Sequence, residues 1–130
     1  MNEGFKDSLN ELVTFLIEND FLLISENSSR IHLKKNELDI YLSFNELEKK
    51  HELFICWREQ VPVTISNTLM KKYFTRDLEI NSRDRDSFQK NMISFFRVEG
   101  NGIVEGDNSL LANLTKYQLD VNDNLTKYYV

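Results

Sequence analysis

Two apolar runs, LDIYLSF (38–44) and ELFICWR (52–58), alternate residue by residue, and this constrains the fold more than any other feature of the chain. In the first, Leu38, Ile40, Leu42 and Phe44 are interleaved with Asp39, Tyr41 and Ser43. In the second, Leu53, Ile55 and Trp57 are interleaved with Phe54, Cys56 and Arg58. Successive side chains of a strand point to opposite faces, so a period of two marks strands with one buried face. Two shorter runs, FLLIS (21–25) and SRIHLK (29–34), precede them, and connections rich in Asn, Ser, Glu and Lys separate all four. Connections this short join antiparallel neighbours, because parallel strands need a crossover of a dozen residues or more. The spacing predicts a four-stranded antiparallel meander.

Upstream, the period is helical. Phe5, Leu9, Leu12, Val13, Leu16 and Ile17 form one stripe within residues 3–19, which predicts an N-terminal helix ending at Asn19-Asp20 and packed on the apolar face of the sheet. Downstream, Pro62 is expected to end the sheet. Leu69, Met70, Tyr73 and Phe74 then predict a helix over 64–74 with Ser66 as its N-cap. DLEI (77–80) is a possible further strand. Asp84 or Asp86 caps the next helix, whose buried stripe is Phe88, Met92, Phe95 and Phe96 and whose stop is Gly100. EGNGIVEG (99–106), with three of the four glycines, reads as a loop.

The pentapeptide NLTKY occurs at 113–117 and again at 124–128. In a helix over 109–128 a shift of eleven residues returns to nearly the same face, so Leu110, Leu114, Tyr117, Val121, Leu125 and Tyr128 would form one stripe. A hairpin turning at VNDNL is the rival arrangement. The expected architecture is thus α+β: an N-terminal helix packed on a four-stranded antiparallel meander, followed by two or three C-terminal helices, in one domain over 1–130. The sequons at Asn27, Asn113 and Asn124 require a secretory route, and Met1-Asn-Glu-Gly offers neither a basic nor an apolar leader. A single cysteine fits a reducing compartment, and no apolar stretch is long enough to span a bilayer, so the expected location is cytoplasmic.

The chemistry-bearing residue types form no recognisable constellation. One Cys and two His give no zinc spacing, and neither His32, read as a solvent-face residue, nor His51, read as a turn residue, has ligand-spaced neighbours. DVNDN (120–124) opens like a calcium loop but has Leu125 where glycine is needed. Cys56 reads as a packing residue, and the glycines of 100–106 do not match a phosphate cradle. No metal, no cofactor and no enzymatic activity are expected. A formal charge of −5 disfavours nucleic acid and favours basic protein partners.

What remains is a protein-interaction module. The outer face of the meander would present aromatic side chains within an acidic rim, and the expected partner-binding residues are Asp39, Tyr41, Glu46, Glu48 and Glu52. Phe54 and Trp57 are assigned more readily to a second layer beneath the C-terminal helices. A lone acidic α+β domain without catalytic motifs resembles the bacterial toxin-immunity proteins, a likeness of type that rests on no signature residue. The resemblance implies a cytoplasmic partner that covers the active site of a basic, nuclease-type toxin. The order of helix, meander and later helices is also similar to type III secretion chaperones, which implies a homodimer holding an effector segment. Those chaperones have a glycine-rich turn after the first helix, where this chain has Glu18-Asn-Asp-Phe21. A small ligand-binding domain or enzyme whose site is not encoded in a motif is the third possibility.

Overall fold

The alternating runs become the centre of an antiparallel sheet. The computed structural model describes residues 5–75 and 79–128. Strands β1 (Leu22–Glu26), β2 (Arg30–Lys35), β3 (Leu38–Asn45), β4 (Lys50–Trp57) and β5 (Val63–Thr64) lie side by side in sequence order, each antiparallel to the next. The sheet therefore has five strands, where the sequence suggested four. Pro62 does not end it, because it precedes β5 and its missing N–H removes no bond from the Val63–Ile55 and Thr64–Phe54 pairs. The edge that Pro62 introduces is only two residues long. At the other edge, β1 spans five residues, carries a register shift between Leu23 and Ser25, and exposes Leu22 and Ile24.

Asparagines shape the tight connections. Asn36, at φ 54°, opens the two-residue turn between β2 and β3. Left-handed backbone costs asparagine less than most residues with a Cβ. The Asn45 side-chain oxygen accepts from the N–H groups of Leu47 and Glu48 and folds the β3–β4 turn.

Strand alternation divides the sheet. Ile31, Leu33, Ile40, Leu42, Leu53, Ile55, Trp57 and Val63 share a continuous cluster with Leu12 and Leu16 of the N-terminal segment and with Phe88, Met92, Phe95, Phe96 and Leu114 of the later helices. The core thus lies between one face of the sheet and the helical layer.

The N-terminal helix is broken. Helices α1 (Phe5–Ser8) and α2 (Asn10–Glu18) meet at Leu9, where a continuous helix was expected. The break has an identifiable wedge. In an unbroken helix the Leu12 N–H would bond to the Ser8 carbonyl; here the Gln89 carboxamide, 4% exposed, accepts from Leu12 N–H (3.1 Å) and reaches Ser8 O with its NH2 group (3.4 Å). Asn19 caps α2, and Asp20 at φ 72° turns the chain into the sheet.

Helix α3 (Asn67–Lys72) has the expected cap, with Ser66 Oγ accepting from Leu69 N–H at 3.2 Å. Residues 77 and 78 of the suggested DLEI strand (77–80) lie outside the described residues. Ile80 is in no strand; the Asn67 side chain accepts from its N–H (2.6 Å) and donates to its carbonyl (3.2 Å), replacing a strand partner. Helix α4 (Arg85–Arg97) is capped by Asp84, whose Oδ2 accepts from Ser87 N–H at 2.9 Å. The bond from Ser87 holds the Asp84 carboxyl below its ordinary range.

The segment read as a loop contains helix α5 (Asn101–Glu105), which buries Ile103 and Val104. Gly100 is glycine because a Cβ there would lie 2.5 Å from the Phe95 ring, and Gly106 because it ends α5 at φ 78°. Lys35 reaches from β2 to donate to the Val104 carbonyl near the end of α5, at 2.6 Å. Helix α6 (Asn108–Tyr128) is continuous, so the helical arrangement holds over the hairpin. Of the first NLTKY copy, Leu114 is buried and Tyr117 half-buried. The side chains of Leu125 and Tyr128 in the second copy lie outside the described residues.

Candidate functional site

The second face of the sheet takes no part in the core cluster. Register fixes which residues share it. Across β2, β3 and β4 they form three rows: Arg30–Ser43–Glu52, His32–Tyr41–Phe54 and Lys34–Asp39–Cys56. Thr64 extends the middle row onto β5, and Ser25 extends it onto β1. Apart from Asp39, these side chains are half-buried or exposed.

Aromatic rings occupy the centre. Tyr41 and Phe54 stand directly opposite each other on the two central strands. His32 stacks on Tyr41 with ring centroids 4.4 Å apart and planes 18° apart, and the Arg30 guanidinium lies 5.3 Å from the Tyr41 ring. Burial first, then the Asp39 carboxylate, raises the Tyr41 phenol above its ordinary value. Cys56 donates to the Gln60 carbonyl at 3.0 Å, and burial, followed by Asp39 and Glu59, pushes its thiol up. A raised thiol is the reverse of what a nucleophile needs.

The residues expected to bind a partner are divided by the fold. Tyr41 and Glu52 lie on the open face. Asp39 is there too but only 7% exposed, with His32 Nε2 2.7 Å and Lys34 Nζ 3.8 Å from its Oδ1. It acts as an internal counter-ion. Glu46 and Glu48 belong to the β3–β4 turn, paired with Lys49 (3.1 Å) and Lys50 (2.7 Å). The Lys50 bond holds the Glu48 carboxyl below its ordinary range and raises the lysine in turn. Leu47 between them is 97% exposed.

The acidic rim is therefore corrected to a rim of both signs. Alternation along β2 brings Arg30 and Lys34 onto the face that carries Tyr41, while Glu52 supplies the negative charge of β4. Phe54 is corrected as well: it sits beside Tyr41 on the open face, not under the helices. Trp57, 8% exposed, is in the core. Tyr73 closes α3 with its ring edge-on to Phe74 and Tyr117. Arg30, His32 and Lys34 lie on the solvent face, as the sequence suggests, but their alignment with Tyr41 and Asp39 comes from the β2–β3 register.

No family model matches the chain, and no curated protein or solved structure matches it.

His51, expected in an exposed turn, is 9% exposed on the core face of β4. The rings of Phe44 and Phe88 lie 5.0 and 5.4 Å away, and Nδ1 is 3.1 Å from the Ser82 carbonyl, which assigns the proton to Nδ1. It lines a groove of about 520 Å³ whose charged walls are Lys49, Arg83, Asp84, Arg85 and Asp86. Among the described residues no three or more His, Cys, Asp or Glu side chains come together as metal ligands, and no helix is long and apolar enough to cross a membrane.

Proposed function

We propose that this chain is a protein-docking module working through the open face of its sheet, and that its partner is a basic toxin domain neutralised in the manner of an immunity protein. The observation that carries the first part is the Tyr41–Phe54 pair, opposed at the centre of a sheet face outside the core cluster. Aromatic side chains at the centre of a patch ringed by polar groups supply most of the binding energy of specific interfaces. His32, Asp39 and Arg30 hold Tyr41 in place before docking, which reduces the ordering cost of binding. The second part is supported by charge. A net −5 draws in a basic partner at long range, and the two-signed rim fixes its orientation at contact.

The reading predicts a toxin gene beside the one for this chain, and the test is a binding titration against the domain it encodes. A one-to-one complex is expected, with Tyr41→Ala and Phe54→Ala each weakening it at least about tenfold, as truncation of a central anchor does, and far-UV circular dichroism unchanged. Reversing Glu46 and Glu48 to lysine raises the net charge of −5 by four units, so it should slow association at low salt while leaving the dissociation rate nearly unchanged, because both residues lie in the β3–β4 turn outside the aromatic face. A complex indifferent to both aromatic truncations would move the docking surface elsewhere. A complex with an acidic partner would remove the toxin reading and leave the module.

A further inference from the structure

We infer that the open face also binds a second copy of this chain, so that the free protein is a weak two-fold dimer and a docking partner must displace the sister copy. The inference rests on the docking reading for its regulatory consequence and on strand register for its geometry.

Opposite charges lie on opposite sides of β3. Arg30 on β2 and Glu52 on β4 occupy the same row, both opposite Ser43. Two such faces brought together about a two-fold axis along β3 place β2 of each copy over β4 of the other without changing row. Arg30 then faces Glu52 of the sister copy twice over, His32 faces Phe54, and Tyr41 meets Tyr41 on the axis. Within one chain Arg30 and Glu52 are two strand spacings, about 9–10 Å, apart. Neither is in an ion pair among the described residues, so both charges remain available. The two Asp39 side chains approach near the axis, each held by its own chain's His32 ring and facing its own Lys34 ammonium. Aligned sheet packing keeps strand directions within about 30°, and the displacement caused by twist grows with distance from the axis, so the Arg30–Glu52 pairs, one strand away, are shifted less than residues of the outer strands.

The size of the face sets the strength. Five strands at about 4.8 Å and five to six residues at about 3.3 Å give on the order of 400–500 Å² per copy. That is the low end of specific interfaces, so a weak contact is expected, with a dissociation constant in the micromolar-to-millimolar range. Such a contact covers the aromatic face at high concentration and yields to a better-matched partner.

Sedimentation equilibrium of the whole chain tests this. The expected result is a monomer–dimer equilibrium in that range which weakens as salt rises. Arg30→Glu and Glu52→Arg should each raise the dissociation constant at least about tenfold, as repulsive juxtaposition does. The double exchange Arg30→Glu with Glu52→Arg should restore it to within about threefold, since the pairs re-form with signs swapped. A protein monomeric at millimolar concentration overturns the inference. So does a dimer that ignores both single changes, which would place its contact on the β1 edge or the helical layer, and so does a double exchange no better than the singles. A monomer that still loses its partner on Tyr41→Ala refutes the dimer and leaves the docking reading intact. A dimer that obeys the exchange while its partner ignores the face refutes only the docking reading.

Discussion

Gln89 sits where α4 crosses the break between α1 and α2, and its amide occupies the gap of one missing helical bond. Leu12, whose N–H it accepts, is fully buried, so removing the amide leaves a polar group without water or partner. Gln89→Leu keeps most of the volume and is expected to destabilise the fold by about 1–3 kcal/mol, seen as a lower urea midpoint. An unchanged midpoint would mean that α1 and α2 rejoin and restore the bond themselves. At Cys56 the expected behaviour is chemical. Its raised thiol carries less thiolate than an ordinary cysteine at any given pH, and thiolate is the reacting form. Iodoacetamide labelling at pH 8 should therefore be slower than that of an unstructured cysteine peptide, and should accelerate only as pH climbs through the elevated value. Labelling at the peptide's rate would show that the thiol is not shielded.

At the scale of elements, α5 is held by its ends. Gly106 stops it in left-handed backbone, and Lys35 donates to the Val104 carbonyl. Gly106→Ala places a Cβ in that conformation and should cost about 1 kcal/mol, again read from the urea midpoint. An effect near zero would indicate that the turn relaxes to another backbone shape. The same element shows where the sequence stops being legible. Strands β2, β3 and β4 were visible because two-residue alternation is written into every position, and α4 because four apolar residues recur at helical spacing. Helix α5 was hidden because Gly100 and Gly102 look like loop punctuation, whereas a Cβ at Gly100 would meet the Phe95 ring and one at Gly102 the Leu110 side chain. Strand β5 was hidden because a two-residue strand has no period to detect. On the open face, Tyr41 and Glu52 followed from alternation, but the contacts of Asp39 with His32 and Lys34 depend on the register between β2 and β3, which no single run reveals.

For the whole molecule, one continuous cluster joins the sheet to α2, α4 and α6. Trp57 lies in that cluster and reports on the packing between layers, while far-UV circular dichroism reports on the helices. The two signals should lose their native values at the same urea concentration, as expected for a two-state unit. Separate transitions would divide the core. The two margins of the sheet also differ. β1 offers five residues of backbone, whereas β5 offers two behind Pro62. Chains that join margin to margin through β1 leave a stunted strand at both outer limits, so accretion of that kind halts at a pair and gives no foothold for fibril growth.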